Sequence, residues 1–395
     1  MVGRNSEIEG SDDELSIAAI GDVADITCWS GIPYHFWKAA LRRGLHARAI
    51  RLDMREFAWS RRLWNARQLL CGHSARGYQY SRSFLRRAED RMAKDWNGGR
   101  IITFNQHFPR TSTICALGGS LWHYLDATFA SLCEPGGAGE NLPLRIRKKG
   151  IELECENYAG GHIVMMARWA AESVVNDCGV PAKKVATILP GANVDLPPDY
   201  SFPFDERVPG KERPLVLGFV GKDWQRKGLP FLLQVRNELE RMGFPAVVRA
   251  AGHCPKELRR TAGLEFVGFI DKAVAPGTFL EFLASCDLGC LFSEREPLGI
   301  STLEFLRAGV PVAGFAIEGL ADTLPPDAGF RFPPASPACD VAETLRIVFT
   351  DHNAVARLRG RARYWSERVT WERCVGEWVE LLTTGKIANP VRPWL

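Results

Sequence analysis

Apolar residues in this chain come in short runs, separated by longer stretches in which they recur every three or four positions. The runs LSIAAIGDV, HARAIRLD, RIITFNQHFP, LWHYLDATF, HIVMMA and VATILPG read as strands. Between them, the segments from Tyr34 to Arg43, Thr111 to Leu117, Leu142 to Tyr158 and Arg168 to Cys178 have helical spacing. Strands that alternate with helices in this way predict a parallel sheet. A second series starts at PLVLGFVG and runs on through AVVRAAG, LEFVGF and ASCDLGCLF. Six prolines between the two series (Pro190, Pro197, Pro198, Pro203, Pro209 and Pro214) mark the expected linker. The pattern predicts an α/β protein of two domains, and 395 residues with 46% hydrophobic content give ample core for both.

The second series holds the densest chemistry. In SEREPLGISTLEFLRAGVPV, Ser293 to Val312, the buried strand just before gives way to a loop, then to a helix from Gly299 to Ala308, stopped by Gly309. The first turn of a helix leaves amides free, and the helix dipole adds positive charge there. Leu298, Gly299 and Ile300 are expected to present those amides to an anion, with Gly299 allowing close approach. Glu304 lies roughly 8–9 Å further along the helix axis, about the reach from a diphosphate to its ribose. A carboxylate there accepts hydrogen bonds from the ribose diol. Glu296 precedes the helix and is expected to face the crevice at the sheet's carboxyl edge.

The other loop of interest follows PLVLGFVG. Its cations Lys222, Arg226 and Lys227 sit between a strand and a helix, an expected clamp that neutralises a diphosphate leaving group. Val267-Gly268-Phe269 ends a strand and offers backbone to a base. In the first series, Gly31 follows the first strand, where it either lets backbone approach a phosphate or makes a plain turn. His107 falls at the carboxyl end of an expected strand, where ligand groups gather. A packed structural histidine is the other reading. His123 and Asp126 read as packing or local hydrogen bonding.

Charge and cysteines add less. The formal net charge of +4 says little about partners. Residues 42–110 carry sixteen Arg and Lys against five acids, a local excess of about +11. Within them Phe84, Leu85, Ala88 and Met92 make an apolar stripe with Arg86, Arg87 and Arg91 off it. This segment reads either as a peripheral contact with anionic membrane or a lipid-linked substrate, or as an ordinary solvated helix face. Nucleic acid fits poorly, because the aromatics are not spaced as a stacking platform. The eleven cysteines include no CxxC pair and read as reduced, as in a cytosolic compartment. The acidic start, residues 1–13, reads as a disordered tail, and no apolar run has the length of a membrane span.

GKDWQRKG, VGFI, EPLGISTLE followed by AGVPV, the WSGIPY loop and the late VTWERCVGEWVELL segment together resemble the retaining family-4 glycosyltransferases of the group 1 type. The resemblance runs over almost the whole chain. It implies the GT-B fold: two Rossmann-like domains facing each other across a cleft. It divides the chain into an N-terminal, acceptor-side domain (14–205), a C-terminal, donor-side domain (206–365), and a final helix in 366–395 that crosses back. The implied reaction moves a hexosyl group from a nucleotide-diphosphate sugar to an acceptor hydroxyl, in polysaccharide or glycolipid synthesis, with no cofactor and no metal. By position, Lys222 and Lys227 grip the diphosphate, Glu304 holds the ribose, and Glu296 with the backbone of Leu298 and Gly299 holds sugar and phosphate. His107 corresponds to a histidine that contacts the donor sugar, and Gly31 to the first-domain loop near the phosphates. Lys222 stands where arginine is common, Pro297 replaces a frequent aromatic, and Glu318-Gly319 replaces a pair of small residues.

Rival readings differ in what they need. A glycosidase uses two carboxylates but no cationic diphosphate clamp. A dinucleotide dehydrogenase needs GxGxxG after the first strand, and AAIGDVADI lacks it. A metal-dependent transferase of the other common fold would be expected to carry Asp-x-Asp, and no two aspartates here are two apart. A GT-B-fold epimerase would use the same donor without an acceptor. A non-catalytic scaffold docked at a membrane would bind no nucleotide, or bind it without turnover.

Overall fold

The computed structural model describes residues 14–96, 98–202, 209, 213–253 and 255–387. The expected acidic tail, 1–13, lies outside them, as do residues 388–395 of the last segment. By contact the chain divides into two units, Met1–Met165 with Ala171–Ala186, and Met166–Ala170 with Thr187–Leu395.

The first series runs β1 (Leu15–Ala18), α1 (Ile32–Arg42), β2 (Ala47–Ala49), α2 (Ala58–Leu70), α3 (Arg82–Met92), β3 (Arg100–Thr103), α4 (Thr111–Ala116), β4 (Ser120–Leu125), α5 (Phe129–Leu132), α6 (Leu144–Gly160), β5 (His162–Met165), α7 (Arg168–Cys178) and β6 (Val185–Thr187). Its six strands form one sheet in the order β2-β1-β3-β4-β5-β6. Pairing is parallel from β2 through β5. Parallel strands flanked by helices must be apolar on both faces, which is why Ile17, Ala18, Ile101 and Ile102 are all fully buried.

The apolar stripe of the basic segment is corrected here. Phe84, Leu85, Ala88 and Met92 of α3 are completely buried and pack into one core cluster with Phe57, Tyr78 and Ile114. The stripe holds α3 to its own unit and offers nothing to a membrane. The exposed apolar residues lie instead on α2, where Trp59 (73% exposed), Leu63 (65%) and Leu70 (88%) project into solvent. With Ala66 they recur at helical spacing on one face. The cysteine reading is also corrected for one pair: Cys155 on α6 and Cys178 on α7 are joined in a disulfide.

The second series runs β7 (Leu215–Gly221), α8 (Leu229–Arg241), β8 (Ala246–Gly252), β9 (Leu264–Gly268), α9 (Pro276–Ala284), β10 (Leu288–Leu291), α10 (Ile300–Arg307), β11 (Val312–Phe315), β12 (Gly329–Phe332), α11 (Ala338–Phe349), α12 (His352–Ser366) and α13 (Trp371–Thr384). The sheet is wholly parallel in the order β12-β11-β10-β7-β8-β9. Two parallel strand sets run outward from the β7–β10 pair, so their carboxyl ends form the topological switch point.

Buried charge fixes that pair. Asp287, just before β10, accepts from Arg213 (2.8 and 2.7 Å), from Arg359 (2.8 Å) and from the Val216 amide of β7 (2.9 Å). One aspartate therefore sets the stagger of the two strands whose far ends carry the loops of interest. The chain enters this unit before the proline-rich segment expected as the linker. Leu189, Ala192 and Val194 already belong to its core. Trp371 on α13 is buried against them, its indole donating to Asn193 Oδ1 at 2.9 Å. A Cβ on Gly191 would lie 2.3 Å from the Trp371 amide, so the backbones touch there.

Candidate functional site

The loops after β7 and β10 meet at the switch point. Gly228, which caps α8 with φ of 80°, is packed so closely that a Cβ would stand 2.1 Å from the Phe292 carbonyl. The Glu294 amide donates to the Arg226 carbonyl at 3.0 Å. This contact brings two of the three expected cations onto Glu296. Lys227 Nζ lies 2.8 Å from Glu296 Oε2, and Arg226 lies 3.6 Å from the same oxygen. Ser293 Oγ also donates to Oε2 (3.2 Å), while Oε1 accepts from the Gly299 amide (3.2 Å). Burial pushes the Glu296 carboxyl up. The Lys227 charge and hydrogen bond, then Arg226 and Ser293, outweigh it and hold the group below its ordinary range.

Gly299 is corrected in its reason. It caps α10 with φ of 77°, and a Cβ would lie 2.6 Å from Leu320 Cδ1. Glycine is required by the left-handed backbone and by packing from β11's following loop, and its amide is already engaged by Glu296. Leu298 is buried, its carbonyl accepting from Thr323 Oγ1 at 3.0 Å, and Ile300 opens the helix.

Glu304 lies inside α10 and is completely buried. Its Oε1 is paired with Lys272 Nζ, and its Oε2 has no hydrogen-bond partner among the described residues. Burial raises its pKa. Lys272, through charge and hydrogen bond, and Lys227 at longer range, pull in the other direction without cancelling the rise.

Lys222 takes a separate place. Its ammonium stands 5.4 Å from the Phe269 ring, which stacks on His253 at 5.6 Å. These three line a cavity of about 430 Å³ together with Trp224, Arg259, Phe266 and Gly268. Gly268 has φ of 89° with nothing where a Cβ would be, so the cavity floor there is bare backbone. Val267 and Phe269 are about half exposed. The planar, half-exposed aromatic beside backbone amides suits a flat heterocycle.

The first-unit residues are different. His107 follows β3 as expected, but its side chain is 1% exposed. Nε2 is bonded to the Gly150 carbonyl at 2.9 Å, and the ring packs against Phe129 and Tyr80. Burial lowers its pKa to about 4, so it stays neutral. Its Nδ1, like Glu304 Oε2, is buried with no hydrogen-bond partner among the described residues. His123 is fully buried 3.5 Å from Thr111 Oγ1, and Asp126 is half-buried. Gly31 caps α1 with φ of 85°, and a Cβ would press on the Ile26 carbonyl at 3.0 Å, so the turn itself accounts for it.

Sequence reasoning missed three groups. Glu318, with φ of 41°, accepts from the Glu296 amide at 2.7 Å and pairs with Arg295, so it clamps the Glu296 loop. Its place after PVAGF marked it as unusual, but nothing in the spacing paired it with residues twenty positions away. Lys272 and His253 carried no local signal at all. Among the described residues no group of three His, Cys, Asp or Glu side chains is arranged to hold a metal ion.

Comparison with known proteins bears on the fold and on the second series. Residues 214–351 match the family model described as "Glycosyl transferases group 1". The chain is 28% identical over 156 residues to a 2-deoxystreptamine glucosyltransferase of Streptomyces kanamyceticus, which covers 38% of this chain and 40% of that protein. The chain thus spans about two fifths of that relative's length. In fold it is similar to a sucrose-phosphate synthase from Thermosynechococcus elongatus, with TM-score 0.67, 14% identity, and 94% and 99% of the two chains covered. It is also similar to WaaG, a glycosyltransferase involved in lipopolysaccharide biosynthesis, with TM-score 0.63, 14% identity, and 94% and 100% covered. Its fold is the GT-B fold of these glycosyltransferases, two parallel α/β units.

Proposed function

We propose, on the premise that residues 214–351 form a group 1 glycosyltransferase domain, that this chain transfers a hexosyl group from a nucleotide-diphosphate donor to an acceptor hydroxyl. The observation that carries the reading is the Lys227–Glu296 pair, at 2.8 Å, on the switch point of the second sheet, with Glu304 inside the adjoining helix. The donor's base lies on Phe269 and the backbone of Gly268. Its ribose meets Glu304, and its phosphates meet Lys222, Arg226, Lys227 and the first amides of α10. Glu296 then accepts from the sugar's hydroxyls.

In the proposed reaction the bond from C1 to the diphosphate oxygen breaks and a bond from C1 to the acceptor oxygen forms on the same face. The acceptor's proton leaves on the departing phosphate. Lys227 and Arg226 offset the negative charge that grows on the leaving group, the work a divalent cation does in other transferases. Retention, metal independence and a role in polysaccharide or glycolipid synthesis belong to this reading. It is tested by a screen of nucleotide sugars for release of nucleoside diphosphate with and without sugar acceptors. Acceptor-dependent release supports transfer. Donor isomerised with no acceptor present would point instead to an epimerase. Nucleotide binding with no turnover of any kind would leave a scaffold.

A second reading concerns where the acceptor is met. The exposed Trp59, Leu63 and Leu70 of α2, flanked by exposed Arg55, Arg61, Arg62 and Arg67, match the chemistry of an anionic lipid surface. We take α2, rather than α3, as the element that rests on such a surface when the acceptor is lipid-linked. No helix among the described residues is long and apolar enough to cross a membrane.

A further inference from the structure

We infer that Lys272 is a positioning residue of the donor site: it keeps the buried Glu304 charged and leaves one carboxylate oxygen without a partner, for a ribose hydroxyl. The inference rests on the donor reading above. A carboxylate with no exposure takes up a proton unless a cation or donors compensate. Glu304 has 0% exposure, and its hydrogen-bond partner is the Lys272 ammonium, on Oε1. Oε2 is buried and has no partner among the described residues, so a hydroxyl reaching it would meet no competing donor. A charged acceptor binds a hydroxyl about twice as strongly as a neutral one, so the protonation state of Glu304 sets what the ribose gains.

Lys272 is placed for this by its own turn. Asp271 accepts the Ala273 amide on its side chain at 2.9 Å, and the Val274 and Ala275 amides on its carbonyl at 3.2 and 2.8 Å. The turn is exposed, yet it directs one long side chain inward. The ammonium passes 4.2 Å from the Phe279 ring before reaching Glu304. The other charge that acts on Glu304 is Lys227, which helps at longer range. Lys272 is therefore the group whose removal changes Glu304 most.

The test titrates UDP, ADP and GDP by calorimetry into wild type, Lys272→Met and Lys272→Arg between pH 5.5 and 8.5. The 2′-deoxy and 3′-deoxy forms of whichever nucleotide binds are run beside it. Wild type is expected to lose less affinity toward the acidic end than Lys272→Met. Lys272→Met is expected to bind about tenfold more weakly at the acidic end for each unit by which the Glu304 pKa rises, and to recover as rising pH removes the proton. Lys272→Arg follows the wild-type profile. The deoxy form lacking the contacted hydroxyl shows no difference between wild type and Lys272→Met. A Lys272→Met protein with the wild-type affinity and the wild-type profile, or with tighter binding, overturns the inference while the donor reading stands. Failure of all three nucleotides to bind wild type brings down the donor reading and this inference together. Melting curves confirm that each variant is folded, and Lys272→Gln serves the same test if Lys272→Met is not.

Discussion

The loops that follow the first strand of each sheet share a backbone device and differ in charge. Gly31-Ile32-Pro33 and Gly228-Leu229-Pro230 both place a left-handed glycine as the helix cap, at φ of 85° and 80°, with proline in the first turn. The loop before Gly31 carries Asp22 and Asp25 and no Lys or Arg; the loop before Gly228 carries Lys222, Arg226 and Lys227. The scaffold is thus repeated and the chemistry is not. A glycine–proline cap marks a strand-to-helix turn, and cations converging on a buried carboxylate mark an anion site. The carboxyl edge of the first sheet is instead packed with neutral polar groups: Asn105 caps the His107 and Phe108 amides at 3.0 and 2.9 Å, and His107 is sealed.

The sharpest way to break this contrast is Lys227→Ala. It strips the 2.8 Å partner from a carboxylate whose side chain is only 9% exposed. Breaking one side of a buried pair costs about 3–5 kcal/mol, and losing a leaving-group cation lowers the rate by about 10²–10³-fold. We expect nucleoside-diphosphate release to fall by that factor in a protein that still melts cooperatively. Turnover within threefold of wild type would remove Lys227 from the chemistry.

The shared device can be tested separately. Gly228→Ala forces a Cβ to within 2.1 Å of the Phe292 carbonyl, a backbone atom that cannot turn aside, on top of the left-handed strain. Gly31→Ala brings its Cβ to 3.0 Å from the Ile26 carbonyl, a tight contact but a smaller intrusion. Denaturant unfolding should show Gly31→Ala costing about 1–3 kcal/mol, the range of backbone strain alone, and Gly228→Ala costing more. Equal losses would mean that the second-unit loops are not tied as closely as their geometry states.

Acid sensitivity separates the units again. His107 and His123 are pushed down to about 4 and about 3 by burial, so the fold holds them neutral. Their contribution is full above the unfolded value near ~6.5 and fades as pH falls toward the folded values. Glu154, raised to about 7 by burial, acts in the opposite sense: its contribution is full below ~4.5 and fades as pH rises through 7. Two histidines outweigh one glutamate, so stability of the first unit should rise between pH 4 and 6.5. His107→Gln should flatten that rise by at most about 3 kcal/mol, and Glu154→Gln should steepen it, both read from denaturation midpoints against pH. An unchanged slope in His107→Gln would mean the ring is not sealed.

Periodicity made the layered α/β architecture legible, because parallel strands and their helices have distinct repeats. The chemistry of the second unit was legible where it is local: Glu296 and Glu304 flank one helix, and Lys222 to Lys227 fill one loop. What escaped depends on long-range contact. Lys272 reaches Glu304 across thirty-two residues, and Glu318 returns to Glu296 across twenty-two. The same limit misled in the first unit. The stripe of α3 has the spacing of a membrane face and of a core face alike, and only the packing of Phe84 against Phe57 and Tyr78 decides between them.

That last distinction leaves the smallest effect to measure. If α2 rests on lipid, Trp59 and Leu63 are its apolar contacts and Arg61 and Arg62 its electrostatic ones, all exposed. Arginines near an anionic surface contribute about 1 kcal/mol each, a factor of about five in binding. Flotation with vesicles of phosphatidylglycerol and phosphatidylcholine should therefore recover wild type, and vesicles of phosphatidylcholine alone should recover little. Arg61→Gln should lower recovery about fivefold, Trp59→Ser with Leu63→Ser should lower it further, and Arg86→Gln on α3 should leave it unchanged. Because the α3 stripe is buried and that of α2 is not, an equal loss from Arg86→Gln and Arg61→Gln would mean that attraction is spread over the whole basic segment. Membrane contact would then be a property of its net charge, with no docking helix.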